Sequence, residues 1–322
     1  EVVHDVLRRS PPAFFSLLAL AFHIRRNKIS VVHCTEKPRD VLAATVVSRL
    51  GGARCVIHVH IKAGTWIRPV VLRSMHWAAA LIGVSEWVAG TIRDLGYDES
   101  KVFAVLNGLE VDDWVDRPVD AGSIRRELEI ADDTPVLVSA SRLFFYKGQH
   151  ELLAALPMVT REFPDVKVLI VGEDDPRGHH DTRSYTERLM VMCRELELED
   201  NVVFTGFRTD VRAIMATCDV YAMPSFEEPF GMVFIEAMSQ RKPVAALDNG
   251  GTPEVVEHGK SGLLSAPADA DTLASNILRL LRDRDLREAM GTYGRECVID
   301  FLNAERMARD IAKVYDVVDN SS

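Results

Sequence analysis

Nine short apolar runs rich in β-branched residues recur along the chain, and stretches of helical periodicity separate them. In the first half the runs are 29–33, 55–60, 79–84 and 102–106. In the second they are 136–140, 166–171, 202–205, 219–223 and 243–247. Near-continuous apolar strands suit a parallel sheet, because helices cover both of its faces. Helical stretches at 39–50, 150–163 and 186–198 supply the crossovers, so the pattern predicts α/β architecture with open, doubly wound sheets. The alternation breaks once, over 107–133, which is acidic and lacks a strand. That break divides the 322 residues into two Rossmann-like domains. The expected bounds are 1–115, a linker at 116–133, and 134–300. A last helix at about 301–317, with Phe301, Met307, Ile311, Val314 and Tyr315 on one face, packs back on the first domain.

Charge is divided unevenly. Residues 1–93 hold 13 Lys/Arg against 5 Asp/Glu, and the remainder holds 25 against 43. A basic first third suits an anionic partner, such as an acidic lipid surface or a phosphorylated acceptor. Five scattered cysteines without a CxxC pair argue against a disulfide framework or a cysteine zinc site, and fit a reducing cytoplasm. No apolar run reaches the ~20 residues of a membrane span. Residues 8–28 (RRSPPAFFSLLALAFHIRRNK) read as a mostly buried helix with Ser16 and His23 on a narrow polar face. A membrane-surface helix and a twin-arginine or secretory signal are the alternatives.

Ligands of open α/β sheets sit beyond the carboxyl ends of the strands. The densest strand end is PSFEEPFGMVFIEAM, 224–238. Two prolines keep it non-helical up to Phe230, and Gly231 allows close backbone approach where a helix opens. The N–H groups of that opening make an anion site. Glu228 stands just before it and Glu236 inside it, roughly 8–12 Å apart along the helix. That spacing suits a carboxylate at each end of an extended ligand. A second strand end, SASRLFFYKGQH at 139–150, places Arg142 and Lys147 in one turn, as a diphosphate requires. Gly172 and Gly206 end two further strands, but neither GxGxxG nor GxxxxGK[ST] is present. The acidic run 173–175 (EDD) reads as a solvated loop rather than a metal site. His60 ends a strand; His33 is a weaker candidate, and His58 is expected on the opposite face from His60.

These residues resemble a family. Pro-Ser, Glu-x-Phe-Gly and Glu-Ala-Met with two Glu eight apart, preceded by Arg-Leu-x-x-x-Lys-Gly, are similar to the retaining GT-B glycosyltransferases of the family-four, group 1 type. The likeness extends over 84–90, 106–114, 203–207 and 250–264, and covers roughly 29–317. It implies two domains facing a cleft, with the first strand–helix unit of the first domain lacking a counterpart here. It implies that Arg142 and Lys147 bind the donor diphosphate, that Glu236 holds the ribose, and that Glu228 with the amides of Phe230, Gly231 and Met232 grips the sugar. The base would lie near Gly172, Gly206 and Phe207, and His60 beside the sugar and its acceptor. The implied activity is metal-independent transfer of a sugar, a hexosyl group, from a nucleotide-diphosphate sugar to a hydroxyl with retention, without further cofactor. A saccharide or lipid-linked acceptor of cell-envelope polysaccharide synthesis fits the basic half. Cytoplasmic location, peripheral contact at the inner membrane face and no nucleic-acid partner complete the expectation. A non-catalytic nucleotide-sugar-binding subunit and a nucleotide-sugar 2-epimerase are the alternatives.

Overall fold

A computed structural model describes residues 13–64, 67–115, 117–175 and 184–320. Described residues up to Leu106, with Met307 onward, form one compact unit; Asn107–Arg306 form another. The arginine pair at 8–9 lies outside the described residues.

The first unit carries a parallel four-stranded sheet in the order β1 (Val31–Thr35), β2 (Arg54–Val59), β3 (Ala80–Gly83), β4 (Val102–Ala104). β2 and β3 are buried almost throughout, as strands covered on both faces must be. The helix Ala304–Asn320 lays Val314 and Val318 against Val56, Ala80 and Ile82 of that sheet, with Met307, Ile311 and Tyr315 beside them. Phe301 does not join that face. It ends the preceding helix, Arg284–Asp300, and is 67% exposed. The helix Ala13–Arg26 is also less buried than its composition suggests. It packs on Pro38–Gly51 through Ala21 and Ile24, with Ile24 against Gly51, while Phe15, Leu18 and Phe22 stay exposed.

The second unit carries a parallel six-stranded sheet: β5 (Val136–Ala140), β6 (Lys167–Val171), β7 (Val202–Gly206), β8 (Val220–Met223), β9 (Val244–Leu247) and β10 (Gly262–Ser265). Their spatial order is β10-β9-β8-β5-β6-β7. The chain therefore winds outward from β5 to β7, returns, and winds outward the other way from β8. β10 is absent from the sequence reading because GLLS is only four residues long and follows a glycine-rich turn. The stretch 116–133 is not a free linker. Arg212 donates to the carbonyls of Asp113 and Pro118, and Thr217 Oγ1 to that of Ala121, which ties the described part of it to the second unit. Among the described residues, no helix is long and apolar enough to cross a membrane.

Candidate active site

β5 is hydrogen-bonded to both β6 and β8, so strand order reverses between β5 and β8. The crossovers from two such strands pass to opposite faces of the sheet, and the turns that begin them frame a crevice at its edge. The turn after β5 carries Arg142 and Lys147, and the turn after β8 carries Ser225 to Gly231. Their backbones meet closely. A Cβ on Gly148, which has φ +71°, would stand 1.8 Å from the Pro224 carbonyl oxygen. Phe226 N donates to Tyr146 O at 2.7 Å. Gly250 packs against the Glu228 backbone in the same way, and Gly251 N donates to Glu228 O.

This approach brings Lys147 to Glu228. Lys147 Nζ donates to Glu228 Oε2 at 2.6 Å, and Ser225 Oγ lies 2.7 Å from the same oxygen. Glu228 is only 6% exposed. A carboxylate so far out of water is tolerable only with a cation and further donors on it. Both bonds fall on Oε2. Sequence reasoning quotes Ser225 within the Pro-Ser pair but gives it no role; its signal is a serine three positions before the glutamate.

Arg142 has a partner the sequence reading misplaces. Its Nη1 donates to Asp175 Oδ2, and Asp175 is buried. Asp174 accepts from Thr186 N at 2.9 Å and Thr186 Oγ1 at 2.8 Å, fastening the start of the helix Tyr185–Glu195. The acidic run is therefore not a solvated loop: β6 ends beside β5, and its last carboxylates are used on the neighbouring turn and helix.

The remaining residues line the same edge. Gly172 (φ +132°) lies against the Ser141 carbonyl, where a Cβ would be 2.0 Å away, and its amide donates to Gly206 O. Phe207 beyond it is exposed. Gly231, with φ +92°, begins the helix Met232–Ser239. The Phe230 ring is buried and Met232 is half-buried. Burial pushes the Glu236 carboxyl up to about 7. Tyr221, on β8, donates to Ala140 O at 2.9 Å. Its phenol is pushed well up by burial first, and then by the charges of Glu236 and Glu228.

His60 lies in the first unit. Glu36 Oε2 is 3.2 Å from its Nδ1 and 3.3 Å from its amide. Burial raises the Glu36 carboxyl, but the hydrogen bond from His60 and the backbone donors outweigh it and hold it below its ordinary range. His58 is on the same side as His60, not the opposite one, since residues two apart on a strand share a face. Their rings are 4.4 Å apart, and His33 is 5.4 Å from His58. His33 Nδ1 meets the Tyr315 hydroxyl at 2.5 Å. Burial, and then the neighbouring histidines, push His58 down to about 3.

Two parallel-sheet α/β units, the second with its order reversed between β5 and β8, define the GT-B fold. A family model described as "Glycosyl transferases group 1" matches residues 120–297, and the chain belongs to that family. A second, "Glycosyltransferase Family 4", matches 1–113. The chain is 34% identical over 200 residues to the GDP-mannose-dependent alpha-(1-6)-phosphatidylinositol monomannoside mannosyltransferase of Mycobacterium tuberculosis, covering 59% of this chain and 49% of that protein. It is 32% identical over 236 residues to the D-inositol 3-phosphate glycosyltransferase of Corynebacterium jeikeium, covering 70% and 55%. The chain thus spans about half the length of the curated relatives it matches. Among solved structures it is similar to Anabaena HepE in complex with UDP, with a TM-score of 0.83 and 25% identity over 94% of this chain and 82% of that one.

Proposed function

We propose that this chain is the sugar-transferring part of a retaining, metal-independent glycosyltransferase that uses a nucleotide-diphosphate sugar. The observation that carries the reading is the Lys147–Glu228 pair set across the reversal of strand order, with Arg142 on the same turn. Relatives support the donor class: the mycobacterial enzyme is named for GDP-mannose, and HepE was solved with UDP and with UDP-glucose.

Breaking the glycosyl–phosphate bond builds positive charge on the sugar and negative charge on the diphosphate. Arg142, Lys147 and the amides opening the helix Met232–Ser239 answer the negative charge, and such fixed donors act most strongly where water is excluded. These two cations would supply the charge that other transferases take from a metal ion. Glu228 Oε1 would accept from a sugar hydroxyl, Glu236 from the ribose, and the base would rest by Gly172, Gly206 and Phe207. His60, held by Glu36, would attend the acceptor. The acceptor hydroxyl attacks the face that the diphosphate leaves, which retains configuration, and passes its proton to an oxygen of that departing diphosphate. The basic first third, and Phe15, Leu18 and Phe22 exposed beside Arg25, Arg26 and Lys28, favour a lipid-linked acceptor at an anionic membrane face.

Thermal denaturation with UDP, GDP, ADP and their sugar conjugates, with and without EDTA, tests this. One nucleotide at 100 times its dissociation constant should stabilise by ~2.7 kcal/mol, regardless of EDTA. Arg142→Ala should abolish the shift. Transfer to a lipid-linked acceptor should then weaken as salt rises. Folded protein that responds to none of these nucleotides, or only with a divalent ion, overturns the reading.

A further inference from the structure

The carboxylate facing Arg142 has no part in the donor site as described so far. Its burial and the exposure of its partner are very unequal: the Asp175 side chain is 5% exposed and that of Arg142 60%. The bond between them engages Nη1, and the guanidinium fork still carries donors on Nε and Nη2. Asp175 is itself held to the backbone beside Arg142. Its amide donates to Leu143 O at 3.1 Å, Leu143 N donates to Glu173 O at 2.8 Å, and Leu143 and Asp174 form an isolated parallel bridge. With Asp174 tied to Thr186, the three acidic residues make a fixed rail along the turn that presents Arg142.

An exposed arginine otherwise samples many rotamers, and a ligand that needs it must halt that motion when it binds. A buried carboxylate bonded to one nitrogen halts it in advance. We propose that Asp175 is a positioning residue: it holds the Arg142 guanidinium so that the remaining N–H donors meet the diphosphate of a nucleotide already ordered. The inference rests on reading Arg142 as a diphosphate-binding residue. An opposing effect has the opposite sign, since a carboxylate near an incoming anion repels it. The direction of the change in affinity therefore decides the matter.

The test is calorimetric titration of the full chain with UDP, GDP and, as a base-free probe, inorganic pyrophosphate. It is run at low salt on wild type, Asp175→Asn, Arg142→Ala and the double variant, with thermal denaturation of each to confirm folding. Asp175→Asn should weaken binding roughly three- to tenfold, the cost of immobilising one long side chain. In the Arg142→Ala background the same change should matter less than about twofold, because it is through the arginine that Asp175 reaches the ligand. Asp175→Glu, which keeps the charge but displaces it, should fall between wild type and Asp175→Asn. If the Asn variant does not fold, the cycle is completed with the Glu variant. Tighter binding by Asp175→Asn, or an equal loss in both backgrounds, overturns the proposal while leaving Arg142 as a ligand. Unchanged binding by Arg142→Ala overturns the donor-site reading itself, and Asp175 with it.

Discussion

The turns beyond β5 and β8 and the strand ends of β1 and β2 both gather charged or titratable side chains, but by different means. In the second unit the backbone does the gathering: Gly148 lies against the Pro224 carbonyl, Gly172 against Ser141 and Gly250 against Glu228. Lys147 and Glu228 then meet because the turns that carry them already touch. In the first unit the side chains gather themselves, ring against ring from His33 to His58 to His60, with Glu36 and Tyr315 at the two ends. The backbone contact itself does not depend on protonation, whereas a cluster of tilted imidazoles does. The largest effect should therefore come from forcing the backbone contact apart. Gly148→Ala puts a methyl carbon 1.8 Å from a carbonyl oxygen at a positive φ, and neither backbone has a flexible end to move. Its unfolding free energy in urea should fall by ~3 kcal/mol or more. A loss below ~1 kcal/mol would show that Pro224 yields, and that the backbone is not what joins the two turns.

The two regions should also answer pH with opposite signs. Glu236 has its folded-state value raised to about 7 by burial, above that of an unfolded glutamate. Between those values the folded chain binds more protons, so stability is greatest below about 4.5 and falls as pH rises through 7. His58 is lowered to about 3, and His33 is lowered as well. Their contribution is complete above about 6.5 and is lost as pH falls toward 3. Urea denaturation from pH 4.5 to 8 should show Glu236→Gln gaining on wild type toward the alkaline end, by up to ~3 kcal/mol. His58→Leu, which removes an Nε2 that has no hydrogen-bond partner among the described residues, should gain toward the acid end instead. Parallel curves for either variant and wild type would remove that region's half of the contrast.

The sequence exposes the backbone-made region better than the side-chain-made one. Strand-end glycines and prolines leave a pattern in the chain, so Arg142 with Lys147 and Glu228 with Gly231 are legible as two groups at two strand ends, and the structure joins them through Lys147 and Glu228. The parallel strands are legible too, because burial on both faces makes them apolar throughout. Asp175 is not, since its partner lies 33 positions away and the pairing depends on β6 lying beside β5. The histidine cluster is hidden for a similar reason: it joins neighbouring strands, and only the relation of His58 to His60 follows from spacing. Phe15, Leu18 and Phe22 read as core because an apolar helix announces only that it wants cover, not where cover is found. The acidic, strandless stretch from 107 marks where one unit gives way to the other, but not that it belongs to the second unit, where side chains of a helix about a hundred residues on bind it.

The smallest expected effect is the sharpest check on why these strand ends need glycine. Gly206 ends β7 with φ +69°, nearly the value at Gly148, yet a Cβ there would meet nothing within 4 Å. Gly206→Ala isolates the conformational term from the close approach. It should cost only the ~1 kcal/mol that a left-handed conformation imposes on an L side chain. Urea denaturation beside Gly148→Ala makes the comparison at matched φ. A gap of ~2 kcal/mol or more between the two places the demand at Gly148 in the contact with Pro224. Equal losses would place it in φ alone, and the approach of the β5 and β8 turns would then follow from glycine's freedom rather than cause its use. Because Gly206 takes no part in joining the turns that carry Lys147 and Glu228, any loss of nucleotide affinity in Gly206→Ala at unchanged fold would come from the added methyl meeting the ligand, as a base resting on that open strand end requires.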